Sequence, residues 1–242
     1  MKEKYPNNPY NSEMDRVIGI SHYYGDNYSS AVRYLTAFVE NENSNIVSKD
    51  YYILGLSHYN LGNYPQAISS FNKSNPESQA LEQSTYLYLG QAYLKTNDNY
   101  NALMAFQSAS RLDADASAKE AATYNYAMLL HQNSVSAFGE SVTVLENFVN
   151  TYPNSIYADK VNDALVDVYL TTKNYNTALQ SIAKIRNPGR KILEAKQKIY
   201  YHLGTIEFTN NNYNAAIGYF TEAIGEGNYA LNEKEQIGRA HV

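Results

Sequence analysis

A small residue recurs along this chain at nearly constant intervals, and this constrains the fold more than any other feature. Five pairs share an offset of twelve residues: Gly19 and Ala31, Gly55 and Ala67, Gly90 and Ala102, Val166 and Ala178, Gly204 and Ala216. In a sixth pair, Ala127 and Ser141, the offset is fourteen, which implies a longer loop around Asn133 to Ser136. Helices approach closely only where side chains are small. The pattern therefore predicts six antiparallel helix pairs that cross at residues 19, 55, 90, 127, 166 and 204.

The segments between the paired helices have the composition of turns. Gly and Asn, which tolerate left-handed backbone conformations, are concentrated at residues 25–27, 62–63, 96–99, 173–174 and 210–212. Ser12, followed by Asp15, predicts a helix N-cap at the start of the first helix. We therefore expect a helical solenoid over residues 11–228, preceded by a disordered extension at residues 1–10.

Two segments, Tyr51 to Phe71 and Tyr86 to Ala109, have a more specific pattern. In each, an aromatic residue, Leu-Gly and Tyr on one helix precede Ala and Phe on the next. This resembles the tetratricopeptide repeat, whose period is about 34 residues. The resemblance implies an all-α, right-handed superhelical solenoid that binds proteins. Repeats four and five depart from it, since they lack the glycine and have Leu145 and Ile182 where the family has Phe.

The chain contains 25 tyrosines and no tryptophan. Nine of them occupy family packing positions and are expected in the core: Tyr28, Tyr51, Tyr64, Tyr86, Tyr93, Tyr169, Tyr175, Tyr200 and Tyr213. The resemblance places others on the first-helix face that lines the concave groove of the family: Tyr23, Tyr24, Tyr52, Tyr59, Tyr124 and Tyr201, with His131 and Phe208 in the same register. Exposed aromatic residues are good anchors for a bound peptide. The alternative is that these side chains are buried against the neighbouring helix.

Basic residues lie on the same predicted face. Arg16, Lys49 and Lys95 are at positions where family members that clamp the terminal carboxylate of a peptide have Lys, Arg and Asn. Lys160 and Lys198 lie on the same face, but Asp163 and Asp167 interrupt this series. The competing interpretation is therefore an ordinary solvated face.

The sequence lacks the usual signatures of enzymatic chemistry. The net charge of −5 argues against a phosphate-binding or nucleic-acid-binding surface. With no cysteine, disulfides and cysteine-bound metals are excluded. There is no paired-histidine metal motif, no phosphate-binding glycine loop and no apolar run of the roughly 18–20 residues that span a bilayer. We therefore expect neither an enzyme nor a cofactor, and a protein or peptide as the partner.

The segment Leu145 to Ala158 contains Phe-x-x-x-Tyr-Pro-x-Ser-x-Tyr-Ala. It resembles repeats of bacterial envelope proteins, namely outer-membrane assembly lipoproteins and the periplasmic partner of the Tol-Pal system. The resemblance implies a periplasmic or outer-membrane-associated scaffold, although a cysteine-free chain suits the cytosol equally well. Two alternatives stay open: the sensor or spacer region of a larger signalling protein with a kinase or DNA-binding domain, and a glycan-binding lipoprotein.

The final six residues, 237–242, resemble the translation of a common sequencing adapter. They follow residues 232–236, whose composition suits the start of another helix. We therefore expect residues 229–242 to comprise a truncated helix and a foreign tail, in a piece of a longer protein. Repeat six would then expose Phe208, Tyr219 and Ile224, and its amides would exchange fastest.

Overall fold

The computed structural model describes residues 10–133, 139–172 and 174–227. In these ranges all regular secondary structure is α-helical, which confirms the predicted fold class. The twelve helices are α1 Asn11–Tyr24, α2 Tyr28–Val39, α3 Ser48–Asn60, α4 Tyr64–Lys73, α5 Gln79–Lys95, α6 Asn99–Ser110, α7 Ala116–Asn133, α8 Glu140–Thr151, α9 Ala158–Thr171, α10 Tyr175–Ile182, α11 Arg190–Thr209 and α12 Tyr213–Gly225. Residues 1–9 of the predicted extension, most of the long loop and the predicted tail at residues 229–242 lie outside the described ranges.

The chain forms two compact units that divide after Tyr126, within α7. Unit 1 contains α1 to α6 and the start of α7, and unit 2 contains the rest of α7 and α8 to α12. We call the odd-numbered helix of each consecutive pair the first helix and the even-numbered one the second helix.

The recurring glycines lie against large side chains of the second helix. A Cβ atom added to Gly55 would lie 2.6 Å from the ring of Phe71, and one added to Gly90 would lie 2.8 Å from Phe106. Gly19 and Gly204 meet Leu35 and Phe220 in the same way. The side chain that excludes a Cβ is therefore sixteen residues after the glycine. The alanine twelve residues after it, on which the sequence pattern was built, is buried in each of these hairpins.

The turns have the predicted conformation. A residue with positive φ lies seven positions after each crossing glycine: Asp26 (57°), Gly62 (77°), Asn97 (59°) and Asn211 (61°). The next residue is the N-cap of the second helix, and the N-cap side chains of Asn27, Asp98 and Asn174 accept hydrogen bonds from backbone amides in the first turn of that helix. These left-handed positions and polar caps explain the Gly and Asn content of the turns.

The predicted N-cap at Ser12 is wrong. Helix α1 begins at Asn11, and its N-cap residue is Tyr10, whose side chain makes no capping hydrogen bond. The Ser12 hydroxyl instead hydrogen-bonds to that of Ser44, in the loop between α2 and α3. A partner 32 residues away in sequence competes with the local capping role that the pattern indicated.

In unit 1 the first helices form one side of the stack. Helix α1 contacts α3, and α3 contacts α5, whereas the second helices α2 and α4 share no such contact within unit 1. Helix α2 packs on α3, and α4 on α5. Because the first helices lie closer together than the second helices, their side is the inner side of the curve within unit 1.

In unit 2 the degenerate repeats have aliphatic side chains at the position where the family has phenylalanine. Leu145 and Ile182, at the positions where other repeats have Phe or Leu, are fully buried. Tyr169 is also fully buried, as predicted for its packing position. Tyr213, at the start of α12, was also expected in the core but is 54% exposed.

A buried glutamine joins repeat three to the start of α7. The Gln83 Nε2 atom donates to the carbonyl oxygens of Ala109 (3.2 Å) and Leu112 (2.7 Å). Its Oε1 atom accepts a 2.7 Å hydrogen bond from the backbone amide of Asp115, just before α7. One side chain thus provides hydrogen-bond partners for two backbone carbonyls at the end of α6 and for a backbone amide just before α7.

Candidate functional site

Five tyrosines of three successive first helices form an aromatic surface in unit 1. We call it the tyrosine surface, and it consists of Tyr23 and Tyr24 of α1, Tyr52 and Tyr59 of α3, and Tyr88 of α5. The Tyr88 ring centroid is 6.4 Å from that of Tyr52 and 5.8 Å from that of Tyr59. Tyr23 and Tyr24 meet edge to face at 5.2 Å. These distances are typical of favourable aromatic pairs.

The tyrosine surface is anchored in the core beneath it. Tyr23, Tyr52, Tyr59 and Tyr88 all pack against the apolar cluster around Phe71. Burial raises the pKa of Tyr52, and also those of Tyr23 and Tyr59, so these hydroxyls stay protonated over the physiological range. Tyr24 stands at the edge and is 67% exposed. The rings are therefore held in place while the surface keeps accessible area and neutral hydroxyl groups.

The other aromatic residues that were predicted to line the groove are not part of the tyrosine surface. Tyr124 lies on the unit 1 part of α7 and is half-buried, and His131 lies on its unit 2 part. In unit 2, Tyr201 packs 5.8 Å from Phe220, whereas Phe208 is 58% exposed next to Tyr213. The structure thus brings Tyr23, Tyr24, Tyr52 and Tyr59 together in unit 1. Tyr124 lies in the same unit but on α7, and the other three belong to unit 2.

The basic residues differ in their surroundings. The Arg16 guanidinium is 2.7 Å from the buried carboxylate of Asp50 and 3.0 Å from Glu13. The hydrogen bond to Asp50 is the main cause of the raised pKa of Arg16. Lys49 and Lys95 are exposed and form no ion pair within the described residues. Two carboxylates thus neutralise the charge of Arg16. Its ion pair with Asp50 connects α1 to α3, and the side chain is not left to attract a peptide carboxylate.

Tyr88 is the member of the tyrosine surface that the sequence analysis missed. It lies two residues before Gly90, and the same position in repeat two is the fully buried Ile53. In repeat two that position packs against the preceding second helix, so the register alone did not indicate that the ring of Tyr88 would be part of the surface. The available signal was a tyrosine where the neighbouring repeat has an aliphatic residue.

Other functions would depend on one of three features: a metal site, a membrane-spanning helix or a cavity for a small molecule. No group of three or more His, Cys, Asp or Glu is placed to hold a metal ion there. No helix within those ranges is both long enough and apolar enough to cross a membrane. Cavities of about 150 and 250 Å³ are present, one in each unit, and both are smaller than the roughly 300–1,000 Å³ usual for small-molecule sites.

Comparison with known proteins agrees with the helical repeat architecture. Residues 17–80 and residues 197–225 each match a model of the tetratricopeptide repeat. The chain therefore contains tetratricopeptide repeats at both the beginning and the end of its helical array. No curated protein sequence matches it.

Several solved structures are similar over most of the chain. A tetratricopeptide repeat protein from Parabacteroides merdae is 17% identical, with 97% of this chain and 86% of that chain covered and a TM-score of 0.48. MamA from residue 41 onward, from Desulfovibrio magneticus, is 16% identical, with 89% and 94% covered and a TM-score of 0.41. A TPR2AB domain–pHSP90 complex of yeast Sti1 is 12% identical, with 94% and 96% covered and a TM-score of 0.37.

Proposed function

We propose that this chain is a non-enzymatic scaffold that binds a peptide segment or a partner helix on the tyrosine surface of unit 1. The observation that supports the proposal most strongly is the continuity of that surface across α1, α3 and α5. Aromatic side chains that are already held in place lose little conformational entropy on binding. The tetratricopeptide repeats favour a protein or peptide as the partner.

The chemistry of the surface defines the class of segment that fits it. Tyrosine rings offer apolar area, and their hydroxyl groups can donate to backbone carbonyls of a peptide. The charge of Arg16 is neutralised by Asp50 and Glu13. We therefore propose that the bound segment is uncharged and rich in apolar side chains, and that it binds through its length rather than through a terminal carboxylate.

Peptide display on the intact chain would test this proposal. Selected peptides are synthesised with a fluorophore, and their dissociation constants are measured by fluorescence anisotropy. Two variants alter the surface: Tyr24→Ala, which removes its most exposed ring, and Tyr59→Leu, which keeps an apolar side chain but removes the aromatic ring and hydroxyl. Tyr100→Ala is the matched control, because Tyr100 is 73% exposed on the second helix α6.

Peptides that bind the tyrosine surface should lose about tenfold or more in affinity for Tyr24→Ala or Tyr59→Leu. They should bind Tyr100→Ala as tightly as the parent. Equal affinity for all four proteins, with thermal unfolding midpoints unchanged, would show that the surface is not the binding site.

We also propose that the scaffold acts in the bacterial cell envelope. The support is the sequence resemblance of Leu145 to Ala158 to repeats of envelope proteins. In the structure the rings of Phe148 and Tyr152 of this segment pack in a tilted arrangement, with centroids 5.1 Å apart, where α8 ends. Fractionation of cells that produce the protein from its intact gene would test the location, and recovery from the cytosolic fraction alone would contradict it.

A further inference from the structure

In repeat one, the second helix has an apolar face that the first helix of repeat two covers. Val32 and Val39 of α2 pack against Ile53 and Leu54 of α3. As a result Ile53 and Leu54 are only 1% and 4% exposed. These four residues form the junction between repeat one and repeat two.

The equivalent face of α12 is uncovered within the described residues. Ile217 lies thirteen residues after Gly204, as Val32 does after Gly19, and Ile224 lies twenty residues after it, as Val39 does. Their side chains are 63% and 79% exposed. Together with Tyr213 and Phe220 they are spaced by four, three and four residues, which is the stripe that packs against another helix.

A polar atom beside the same face also lacks its expected partner. Gln197 lies seven residues before Gly204, as Gln83 lies seven before Gly90. Its Nε2 atom donates to the carbonyls of Ala223 and Gly227 at 2.8 and 2.9 Å. Its Oε1 atom is buried and has no hydrogen-bond partner within the described chain. The Gln83 Oε1 atom accepts from the residue before the following helix, so the start of an incoming helix would satisfy Gln197.

Helix α1 has the complementary face. Val17 and Ile18 lie two and one residues before Gly19, the positions that Ile53 and Leu54 occupy before Gly55. They are 58% and 38% exposed, whereas their counterparts in α3 are buried against α2. Helix α1 thus has the apolar pair that docks, and helix α12 has the apolar face against which such a pair packs.

We propose that the face of α12 binds α1 of a second copy of this chain, so that molecules associate head to tail. In the contact, Val17 and Ile18 of one copy cover Ile217 and Ile224 of the other, as Ile53 and Leu54 cover Val32 and Val39 within unit 1. The two surfaces are different, so the interface is heterologous and one chain can engage a partner at each face. It does not depend on peptide binding at the tyrosine surface.

Sedimentation equilibrium of the 242-residue chain would test this proposal over a range of protein concentrations. Two variants block one face each: Val17→Arg at α1 and Ile224→Arg at α12. Both residues are exposed, so circular dichroism and thermal unfolding should be unchanged in dilute solution. Ile156→Arg is the control, because Ile156 is 86% exposed in the loop before α9.

The parent chain and Ile156→Arg should increase in average mass with concentration. Val17→Arg and Ile224→Arg should each associate at least about tenfold more weakly, because a charge would be buried without a partner. An equimolar mixture of these two variants should form a dimer, since each supplies the face that the other lacks. A parent that stays monomeric, variants that associate like the parent, or a mixture that stays monomeric would each overturn the proposal.

Discussion

Adding a single methyl group to the glycines of the repeat tests the packing that defines this fold. In Gly55→Ala the new Cβ would lie 2.6 Å from two ring atoms of Phe71, whereas ordinary contact begins at 3.4 Å. The ring must therefore retreat by 0.8 Å, the difference between these distances. Phe71 is only 1% exposed, and Tyr52 and Tyr88 flank its ring at 6.1 and 6.4 Å. It has little room to move.

Two opposing contributions set the size of the effect. Overpacking a core costs about 1–3 kcal/mol, whereas Ala in place of Gly in a helix gains about 1 kcal/mol. Gly55→Ala should therefore destabilise the α3–α4 hairpin by about 1 kcal/mol. Gly218 lies within α12, and its added Cβ would meet nothing within 4 Å. Gly218→Ala keeps only the helix gain and should stabilise α12 by up to about 1 kcal/mol.

Native-state hydrogen exchange with mass spectrometry is the suitable assay, because it reports the opening free energy of each helix separately. The two substitutions should shift exchange in opposite directions, in α3 and α4 for Gly55→Ala and in α12 for Gly218→Ala. If Gly55→Ala slowed exchange as much as Gly218→Ala, close packing of the glycine against Phe71 would not explain the recurring residue.

Three further predictions concern buried polar groups and the face of α12 that is uncovered within the described residues. Gln83→Glu should destabilise α5 and α6 by about 2–4 kcal/mol in urea unfolding, because a carboxylate cannot donate to the two carbonyls that Gln83 binds. The control is Gln79→Glu, because Gln79 is exposed. Equal stability of the two variants would contradict the prediction. Burial raises the pKa of the Glu146 carboxyl above its ordinary value of 4.5. The folded protein therefore binds a proton at Glu146 more tightly than the unfolded chain does, and it loses stability as the pH rises above 4.5. Glu146→Gln, which can still accept from the Tyr169 and Ser181 hydroxyls, should therefore be more stable than the parent at pH 7 but not at pH 3; an unchanged difference across that range would exclude a role for the charge. In dilute solution, amides of α11 and α12 should exchange fastest among the six repeats, and uniform protection from repeat two to repeat six would refute this.

The hairpin architecture could be predicted because its determinants are local. A glycine, a turn residue seven positions later and an alanine twelve positions later follow from the geometry of one helix pair, and Gly55, Gly62 and Ala67 show all three. The start of α1 was mispredicted for the opposite reason. Ser12 looked like a local cap, but its hydroxyl bonds to Ser44 in the next loop, and sequence spacing does not reveal such a contact.

The candidate site was predictable only where register decides exposure. The resemblance to the tetratricopeptide repeat assigned Tyr52 and Tyr59 to the groove face, and in the structure both are part of the tyrosine surface. Arg16 has the register of a groove residue, yet its charge is used by Asp50, 34 residues away in sequence. Tyr88 was missed because its position is apolar core in repeat two. Both depend on contacts between repeats, which the pattern of a single repeat does not encode.

The most direct test of the proposed binding surface uses the absence of tryptophan from the chain. Tyr24→Trp places a single fluorescent reporter at the edge of the tyrosine surface, and Tyr100→Trp places one on the second helix α6. Both positions are exposed, at 67% and 73%, so the larger ring can be accommodated. Saturation with a selected, tryptophan-free peptide should shift the emission of Tyr24→Trp to shorter wavelength and leave that of Tyr100→Trp unchanged. Unchanged emission at position 24 under saturating peptide, or equal shifts at both positions, would contradict binding at the tyrosine surface.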